Sequence, residues 1–189
     1  MSEIEQFYAD KCIFLTGGTG FLGKILIEKL LRSCSRLKKI YVLIRPNSSS
    51  NPQKRLNDLF SCEVFKQIRE NQPYLLTKVE PINGNVTYPG LGISYDCLIK
   101  LKREVHIVLH SAATIRFDEP LKKALEINLC GTEGVLNFCN QLDNLIVSYL
   151  VLFCVNLFYT VCFRTVKPLN GLKNDCVKRV TIPSFQTAV

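Results

Sequence analysis

Three glycines at three-residue spacing give this chain its clearest chemical signal. The segment Thr16-Gly17-Gly18-Thr19-Gly20-Phe21-Leu22-Gly23 lies between a short apolar run and a helical pattern that continues to Arg32. Gly17 permits a tight turn out of a strand, Gly20 leaves room for a ligand at the backbone, and Gly23 lets a helix pack closely on a sheet. The N–H groups that open the helix would then face the phosphates of a dinucleotide. The alternative is a glycine-rich turn without a ligand.

The next apolar run ends in a cation and not in an acid. Residues 40–45 read as a strand that ends at Arg45, about 20 residues after the last glycine, where NAD-binding proteins carry a carboxylate for the ribose 2′-hydroxyl. A guanidinium at this place suits a 2′-phosphate instead. The sequence therefore favours NADPH as the cofactor, and the alternative is that Arg45 is an ordinary surface cation.

The elements that must position these residues alternate between strand and helix. Four short apolar runs, 11–16, 40–45, 79–83 and 105–110, predict buried parallel strands. Apolar residues at helical spacing predict three helices, which contain Leu22, Ile25, Leu26 and Leu30; Leu56, Leu59, Phe60 and Val64; and Leu121, Ala124, Leu125, Leu129, Leu136 and Cys139. The last helix begins at Pro120 and runs to about Leu142. This order predicts an α/β fold, a Rossmann-like doubly wound parallel sheet whose second half is missing.

The composition changes abruptly near residue 145. We assign residues 1–144 to an NAD(P)-binding Rossmann region. Residues 145–163 carry no charge, and this apolar C-terminal segment is long enough for a transmembrane helix. It forms either such a helix, which would associate the protein with a membrane, or a strand or helix that substitutes for the missing core. Residues 164–189 form a basic, aperiodic tail that we predict to be disordered.

Composition also limits the class of protein. A sequence of 189 residues with 47% hydrophobic residues has room for one folded domain and does not resemble a disordered protein. The N-terminus lacks the pattern of a secretory signal, and nine cysteines without such a signal suggest a reducing intracellular compartment. No pair of cysteines has C-x-x-C spacing, and His106 and His110 read as strand residues, so we expect no metal site. The net charge of +8 suits anionic ligands, but no nucleic-acid-binding motif accompanies it.

Four segments together resemble the fatty acyl-CoA reductases, a group within the extended short-chain dehydrogenases/reductases. They are Ile13-Phe14-Leu15-Thr16-Gly17-Gly18-Thr19-Gly20-Phe21-Leu22-Gly23-Lys24, Ile40-Tyr41-Val42-Leu43-Ile44-Arg45-Pro46, His110-Ser111-Ala112-Ala113-Thr114-Ile115-Arg116-Phe117-Asp118-Glu119-Pro120-Leu121 and Asn128-Leu129-Cys130-Gly131-Thr132. The resemblance implies reduction of a long-chain fatty acyl-CoA by NADPH, usually to the primary alcohol. It also implies an intracellular location at the endoplasmic reticulum or the peroxisome. Another extended reductase or an epimerase is the alternative, which the third segment disfavours.

The resemblance also implies roles for individual residues. Asn85, where relatives often carry Asp, would lie near the adenine; residues 111–113 would lie beside the cofactor, and Asn128 would organise the site. Close packing is the alternative for residues 111–113, and a buried polar residue with a local partner is the alternative for Asn128. The complete set of expected cofactor-binding residues is Gly17, Thr19, Gly20, Phe21, Leu22, Gly23, Arg45, Asn85, Ser111, Ala112, Ala113 and Asn128.

The expected catalytic residues are not found. The resemblance implies a Tyr-x-x-x-Lys pair after a strand that ends in Ser-Thr-Ala-Tyr, but the sequence reads Ile146-Val147-Ser148-Tyr149-Leu150-Val151 at that place. The one Tyr-x-x-x-Lys match, Tyr74 and Lys78, precedes the third strand, and we interpret it as chance. We therefore identify no catalytic residue. The working hypothesis is a truncated product whose residues after 145 come from an alternative or read-through coding segment. It would be either an inactive reductase by descent or a non-catalytic NADP-binding fragment.

Overall fold

The computed structural model describes residues 2–46, 51–116, 118–154 and 157–163, with the backbone alone described from residue 149 onward. The strands are β1 (Cys12–Thr16), β2 (Lys39–Ile44), β3 (Val79–Asn83), β4 (Val105–His110), β5 (Val147–Cys154) and β6 (Leu157–Phe163). They form one sheet in the order β3-β2-β1-β4-β5-β6. The first five strands are parallel, and β6 runs antiparallel to β5. The predicted incomplete Rossmann-like α/β fold is confirmed.

Seven α-helices connect or flank these strands in the described residues. They are α1 (Glu3–Tyr8), α2 (Phe21–Ser33), α3 (Pro52–Phe60), α4 (Lys66–Asn71), α5 (Tyr95–Glu104), α6 (Leu121–Leu125) and α7 (Gly131–Cys139). Short 3₁₀ segments lie at Glu63–Phe65, Pro73–Lys78 and Pro89–Gly92, and a π-helical turn at Glu126–Cys130 joins α6 to α7. The start of α3 follows from its sequence, because Asn51 Oδ1 accepts a hydrogen bond from Lys54 N–H at 2.7 Å and Pro52 occupies the first turn.

The central strands are buried on both faces, as their continuous apolar runs predict. On one face, Ile13 and Leu15 of β1 pack with the apolar side chains of α2 and α3. On the other face, Phe14 packs with α7, and its ring centroid lies 4.7 Å from that of Phe138. The result is a sheet between two helical layers, with the carboxyl ends of β1, β2 and β4 at one edge, where Thr16 pairs with both Leu43 and His110.

The predicted helix faces were wrong in detail. In α2, Leu22 and Ile25 are partly exposed, and the buried side chains are those of Ile27, Leu30 and Leu31. The third helix is not continuous to Leu142, since its α-helical part ends at Cys139 and the π turn interrupts it. Leu121, Leu125 and Leu129, which the pattern placed on one apolar face, are exposed. The second helix also stops early, at Phe60, so that Val64 lies in the following 3₁₀ turn and is exposed.

Residues 147–154 extend the sheet, although the Ser-Thr-Ala-Tyr ending expected there is missing. Val147 pairs with Ile107 and Leu150 with His110, so β5 occupies the position next to β4. Of the two alternatives for residues 145–163, the structure has strands that add to the sheet. Within the described ranges, no helix is both long enough and apolar enough to cross a membrane. The predicted basic tail, 164–189, lies outside the described residues.

Candidate dinucleotide-binding site

A cleft of about 460 Å³ opens where β1, β2 and β4 end. In the strand order, β1 lies between β2 and β4, so the polypeptide leaves β1 toward one side of the sheet and later returns to build the other side. Ligands of open α/β sheets bind at such a switch point. The volume lies within the range of about 300–1,000 Å³ that is usual for ligand sites. The lining residues are Thr16, Gly17, Thr19, Gly20, Leu43, Arg45, Asn85, Val86, Ser111, Ala112, Ala113, Thr114, Ile115, Arg116, Glu119, Lys123 and Ile127.

The structure brings eight of the twelve predicted cofactor residues to this cleft. They are Gly17, Thr19, Gly20, Arg45, Asn85, Ser111, Ala112 and Ala113. The other four, Phe21, Leu22, Gly23 and Asn128, do not line it. Arg116, Glu119 and Lys123 also line the cleft, and sequence reasoning missed them. All three stand in or next to the third segment of the resemblance, so their charge within that segment was the signal that could have identified them.

The glycine turn is required by close packing on two sides. Gly17 has a φ of +74°, and a Cβ there would lie 2.6 Å from the backbone nitrogen of Ala112 and from the carbonyl carbon of Ser111. A Cβ on Gly23 would overlap the carbonyl oxygen of Gly17. Gly20 is different, because a Cβ at this position would meet only one atom within 4 Å among the described residues, the Gly17 carbonyl oxygen at 3.2 Å. Gly17 and Gly23 thus hold the turn together, and Gly20 keeps its outer side open.

The start of α2 has the features of an anion site. Gly20 is the N-cap and has no side chain to satisfy the first N–H groups, and the first turn contains no acidic residue. The N–H groups of Phe21, Leu22 and Gly23 have no acceptor within the helix, as in any first turn. The helix dipole adds a partial positive charge at this end. The predicted role of these three residues therefore depends on their backbone N–H groups, since Phe21 is 83% exposed.

The Arg55 side chain contacts the backbone of Arg45 at the end of β2. Arg45 is exposed and lines the cleft, and Arg55 of α3 donates a hydrogen bond from Nη1 to the carbonyl oxygen of Arg45. Among the residues that the structure describes, neither guanidinium forms an ion pair with a carboxylate. Arg55 was missed in the sequence, because only the packing of α3 beside β2 brings it to this place. An exposed cation in the cleft without a carboxylate partner among the described residues favours an anionic ligand.

Asn85 follows β3 and forms a local turn at the cleft. Its Oδ1 accepts a hydrogen bond from Thr87 N–H at 3.2 Å, and its own N–H donates to the carbonyl oxygen of Leu91 at 2.7 Å. An aspartate could accept the same bond from Thr87, so the exchange of the usual Asp for Asn keeps the turn. The difference between the two residues is the amide group, which adds a donor where the carboxylate has only acceptors.

A series of buried hydrogen bonds lies directly beneath the cleft. Thr16 Oγ1 lies 2.6 Å from His110 Nδ1, and His110 Nε2 lies 3.1 Å from Thr132 Oγ1. Thr16 also holds the loop after β4, because its carbonyl oxygen accepts hydrogen bonds from Ser111 N–H and Oγ, and its hydroxyl accepts one from Ala112 N–H. Burial lowers the pKa of His110 to about 4. The imidazole is therefore neutral at pH 7.

Asn128 holds the same loop from the other side. It lies in the π turn, where its Oδ1 accepts from Thr114 N–H at 2.8 Å and its Nδ2 donates to the Thr114 carbonyl oxygen at 3.0 Å. Asn128 thus fixes both backbone polar groups of a residue that lines the cleft. Asn128 therefore has a local partner, as the alternative had it, and this partner, Thr114, lines the cleft although it was not among the predicted residues.

The far end of the cleft carries both charges. Lys123 Nζ lies 2.6 Å from Glu119 Oε1, and the hydrogen bond between them lowers the pKa of Glu119. Thr114 Oγ1 donates to the other oxygen of this carboxylate at 3.3 Å. Arg116 pairs with Asp118, and both side chains are exposed. Glu119 is thus already satisfied within the protein, whereas Arg116 stays accessible to a ligand in the cleft.

Tyr74 and Lys78 lie away from the cleft. Lys78 Nζ donates to the carbonyl oxygens of Ser35 and Leu37, which precede β2 at the amino end of the sheet. Tyr74 is 60% exposed. Since the cleft lies at the carboxyl ends of the strands, the pair cannot act on a ligand there.

Comparison with known proteins agrees with this geometry. Residues 15–164 match the NAD-binding family described as male sterility protein, NAD_binding_4. This protein belongs to the male sterility protein family. It is 39% identical over 164 residues to fatty acyl-CoA reductase 1 of Gallus gallus, covering 87% of this sequence and 31% of that protein. It is 45% identical over 144 residues to fatty acyl-CoA reductase wat of Drosophila melanogaster, covering 76% of this sequence and 28% of that protein.

A solved structure supports the same assignment for this male sterility family member. The terminal R domain of the myxalamid PKS-NRPS biosynthetic pathway aligns with a TM-score of 0.59 and 27% identity, over 72% of this protein and 33% of that domain. The resemblance to fatty acyl-CoA reductases is thus confirmed, and the protein contains a domain for a nicotinamide dinucleotide. It spans about a third of the length of its curated relatives. The family match continues past residue 144; the division of the sequence at that residue stays a prediction.

Proposed function

We propose that the cleft binds NADPH, and that the protein serves as the cofactor-binding part of an enzyme that reduces long-chain fatty acyl-CoA to fatty alcohol. The substrate comes from the names of the relatives, which are fatty acyl-CoA reductases. The preference for NADPH rests on one observation, the exposed Arg45 that lines the cleft at the end of β2. Arg55, which donates to the Arg45 carbonyl oxygen, is a second cation next to it in the structure. Two guanidinium groups can share a phosphomonoester through charge-assisted hydrogen bonds.

The residues of the cleft fit the parts of this cofactor. The free N–H groups at the start of α2 suit the diphosphate, and the absence of a Cβ at Gly20 leaves the backbone open to it. We assign Asn85, which lines the cleft after β3, to the adenine. The small side chains of residues 111–113 leave space beside β4 for the nicotinamide. When bound, NADPH supplies the hydride; the protein groups named here bind and orient it.

The cofactor preference is tested by calorimetric titration of the protein with NADPH and with NADH. We expect Arg45→Met and Arg55→Met each to weaken NADPH binding by about ten- to a hundredfold, which corresponds to the loss of a hydrogen bond to a charged group. NADH affinity should change by less than about twofold in the same variants. Arg32→Met is the matched control, since Arg32 pairs with Glu28 near the far end of α2. Equal affinity of the wild-type protein for both cofactors would refute the preference.

A second function, cofactor binding without turnover, is favoured by the position of Lys78. This side chain binds carbonyl oxygens at the amino end of the sheet, so the one Tyr-x-x-x-Lys match does not reach the cleft. The two functions are separated by incubating the purified protein with NADPH and a long-chain fatty acyl-CoA and measuring NADPH oxidation. Turnover that Gly17→Ala abolishes supports reduction by this protein, and NADPH binding without turnover supports the second function.

A further inference from the structure

His110 lies at the centre of a hydrogen-bonded path that joins both sides of the cleft. The path begins at Thr16, the residue before the glycine turn, and continues through the imidazole to Thr132 of α7. Thr132 Oγ1 then donates to the carbonyl oxygen of Asn128 at 2.6 Å. Asn128 in turn holds Thr114, so the path returns to the loop that follows His110 itself. The imidazole is 1% exposed and does not line the cleft.

The direction of every bond in this path can be derived. A carbonyl oxygen cannot donate, so the single proton of the Thr132 hydroxyl must point to the carbonyl oxygen of Asn128. Thr132 Oγ1 is then only an acceptor for the imidazole, and His110 Nε2 must carry a proton. A neutral imidazole has one N–H, so Nδ1 is bare and accepts from the Thr16 hydroxyl. Thr16 Oγ1, which donates its proton to His110, also accepts a hydrogen bond from Ala112 N–H at 3.3 Å.

We propose that His110, held as the Nε2–H tautomer, is a positioning residue that sets the spacing between the glycine turn and residues 111–114 across the dinucleotide cleft. The proposal rests on the proposed cofactor function of that cleft. Its physical basis is that Thr16 and Ala112 are the points where the two walls of the cleft meet. Without an acceptor at Nδ1, the Thr16 hydroxyl would turn to another partner, and Ala112 N–H would lose its own acceptor.

The tautomer is tested by long-range ¹H–¹⁵N spectroscopy of the imidazole rings. The protein has two histidines, so the spectrum contains two ring systems, and His106 provides the internal reference. We expect Nε2 of His110 to be protonated and Nδ1 to be bare, with no exchange between tautomers. A protonated Nδ1, or averaged shifts for both nitrogens, would overturn the proposal. This measurement needs no variant, so it does not depend on the folding of one.

The positioning role is tested by two substitutions of Thr132. Thr132→Val keeps the branched shape and removes the hydroxyl, which leaves the buried Nε2–H without an acceptor. We expect NADPH affinity to fall by about tenfold in Thr132→Val and to stay within about twofold of wild type in Thr132→Ser, which keeps the hydroxyl. His106→Gln is the control on the same strand, because His106 accepts from Cys12 N–H at the amino end of the sheet. It should alter the thermal melt and not the NADPH affinity.

Each outcome has a distinct meaning. If wild type binds NADPH and Thr132→Val binds it with the same affinity, the positioning role is refuted, but the proposed function is not. Equal losses in Thr132→Val and Thr132→Ser would also refute it, since the hydroxyl would then be irrelevant. A wild-type protein that binds neither NADPH nor NADH would refute the proposed function, and the positioning role would fall with it. The proposal is supported if NADPH affinity falls in Thr132→Val but not in Thr132→Ser, and if His110 is found as the Nε2–H tautomer.

Discussion

Gly17→Ala should destabilise the protein more than Gly90→Ala, although both glycines have a positive φ. Gly90 has a φ of +59° and no described atom within 4 Å of an added Cβ, so its variant carries the conformational cost alone. That cost is about 1–2 kcal/mol, reduced by about 0.4–1 kcal/mol through the lower entropy of the unfolded state. Gly17→Ala adds a Cβ at 2.6 Å from backbone atoms of Ser111 and Ala112. Such overlap costs a further amount of about 1–3 kcal/mol.

In urea denaturation, the free energy of unfolding should therefore fall by about 1 kcal/mol in Gly90→Ala and by about 2–4 kcal/mol in Gly17→Ala. The two variants also differ in ligand binding. The clash at Gly17 separates the glycine turn from the loop after β4 and should weaken NADPH binding, whereas Gly90 lies outside this cleft. Equal losses of stability in the two variants would show that the turn after β1 and the loop after β4 do not approach as closely as the structure has them, and the cleft geometry would then be wrong.

Three further predictions concern the surroundings of the cleft. His110 has a pKa of about 4 when folded and 6.5 as a reference; the unfolded state therefore binds the extra proton between these values, and stability should fall by about 3 kcal/mol as the pH drops from 6.5 to 4. His110→Gln should lose this component of the pH dependence in urea denaturation, and parallel curves would contradict the assignment. Asn128→Ala should speed amide hydrogen exchange of Thr114, and unchanged exchange would show that Asn128 does not hold the loop. Lys78→Met should lower stability by about 1–3 kcal/mol without changing NADPH affinity, since Lys78 binds carbonyls at the amino end of the sheet; weaker NADPH binding would contradict that placement.

Local patterns predicted the first four strands and the glycine turn well. Apolar runs at β1 to β4 could be read directly, because strands buried on both faces need no polar alternation. The glycine turn could also be recognised from the local sequence. Gly17 and Gly23 pack against backbone atoms within a few residues or at the neighbouring strand, and that packing excludes a side chain at both positions.

The helix faces were harder to predict, because they depend on partners distant in sequence. Leu121, Leu125 and Leu129 have the spacing of a buried stripe, yet all three are exposed, and a π turn interrupts the helix at Glu126–Cys130. Nothing in their own periodicity shows this exposure or this interruption. The π turn places Asn128 where its side-chain amide reaches both backbone polar groups of Thr114.

The strand β5 illustrates the same limit. Residues 147–154 lack the expected Ser-Thr-Ala-Tyr ending, so the motif was absent, yet the backbone still forms a parallel strand beside β4. Pairing in a sheet uses backbone N–H and C=O groups, which every residue except proline supplies. A strand can therefore form where the side chains of the expected motif are missing.

By itself, the sequence determined the α/β class, the glycine turn between β1 and α2 and the cation at the end of β2, since each depends on residues that are close along the polypeptide. Only the tertiary structure decided that Arg55 joins Arg45, that His110 connects Thr16 to Thr132, and that Lys78 lies away from the cleft. The physical reason is that hydrogen bonds and charges act over a few ångströms in space. Such partners lie far apart in the sequence, as the links from β1 to β4 and from β4 to α7 show, and their pairing leaves no periodic trace in it.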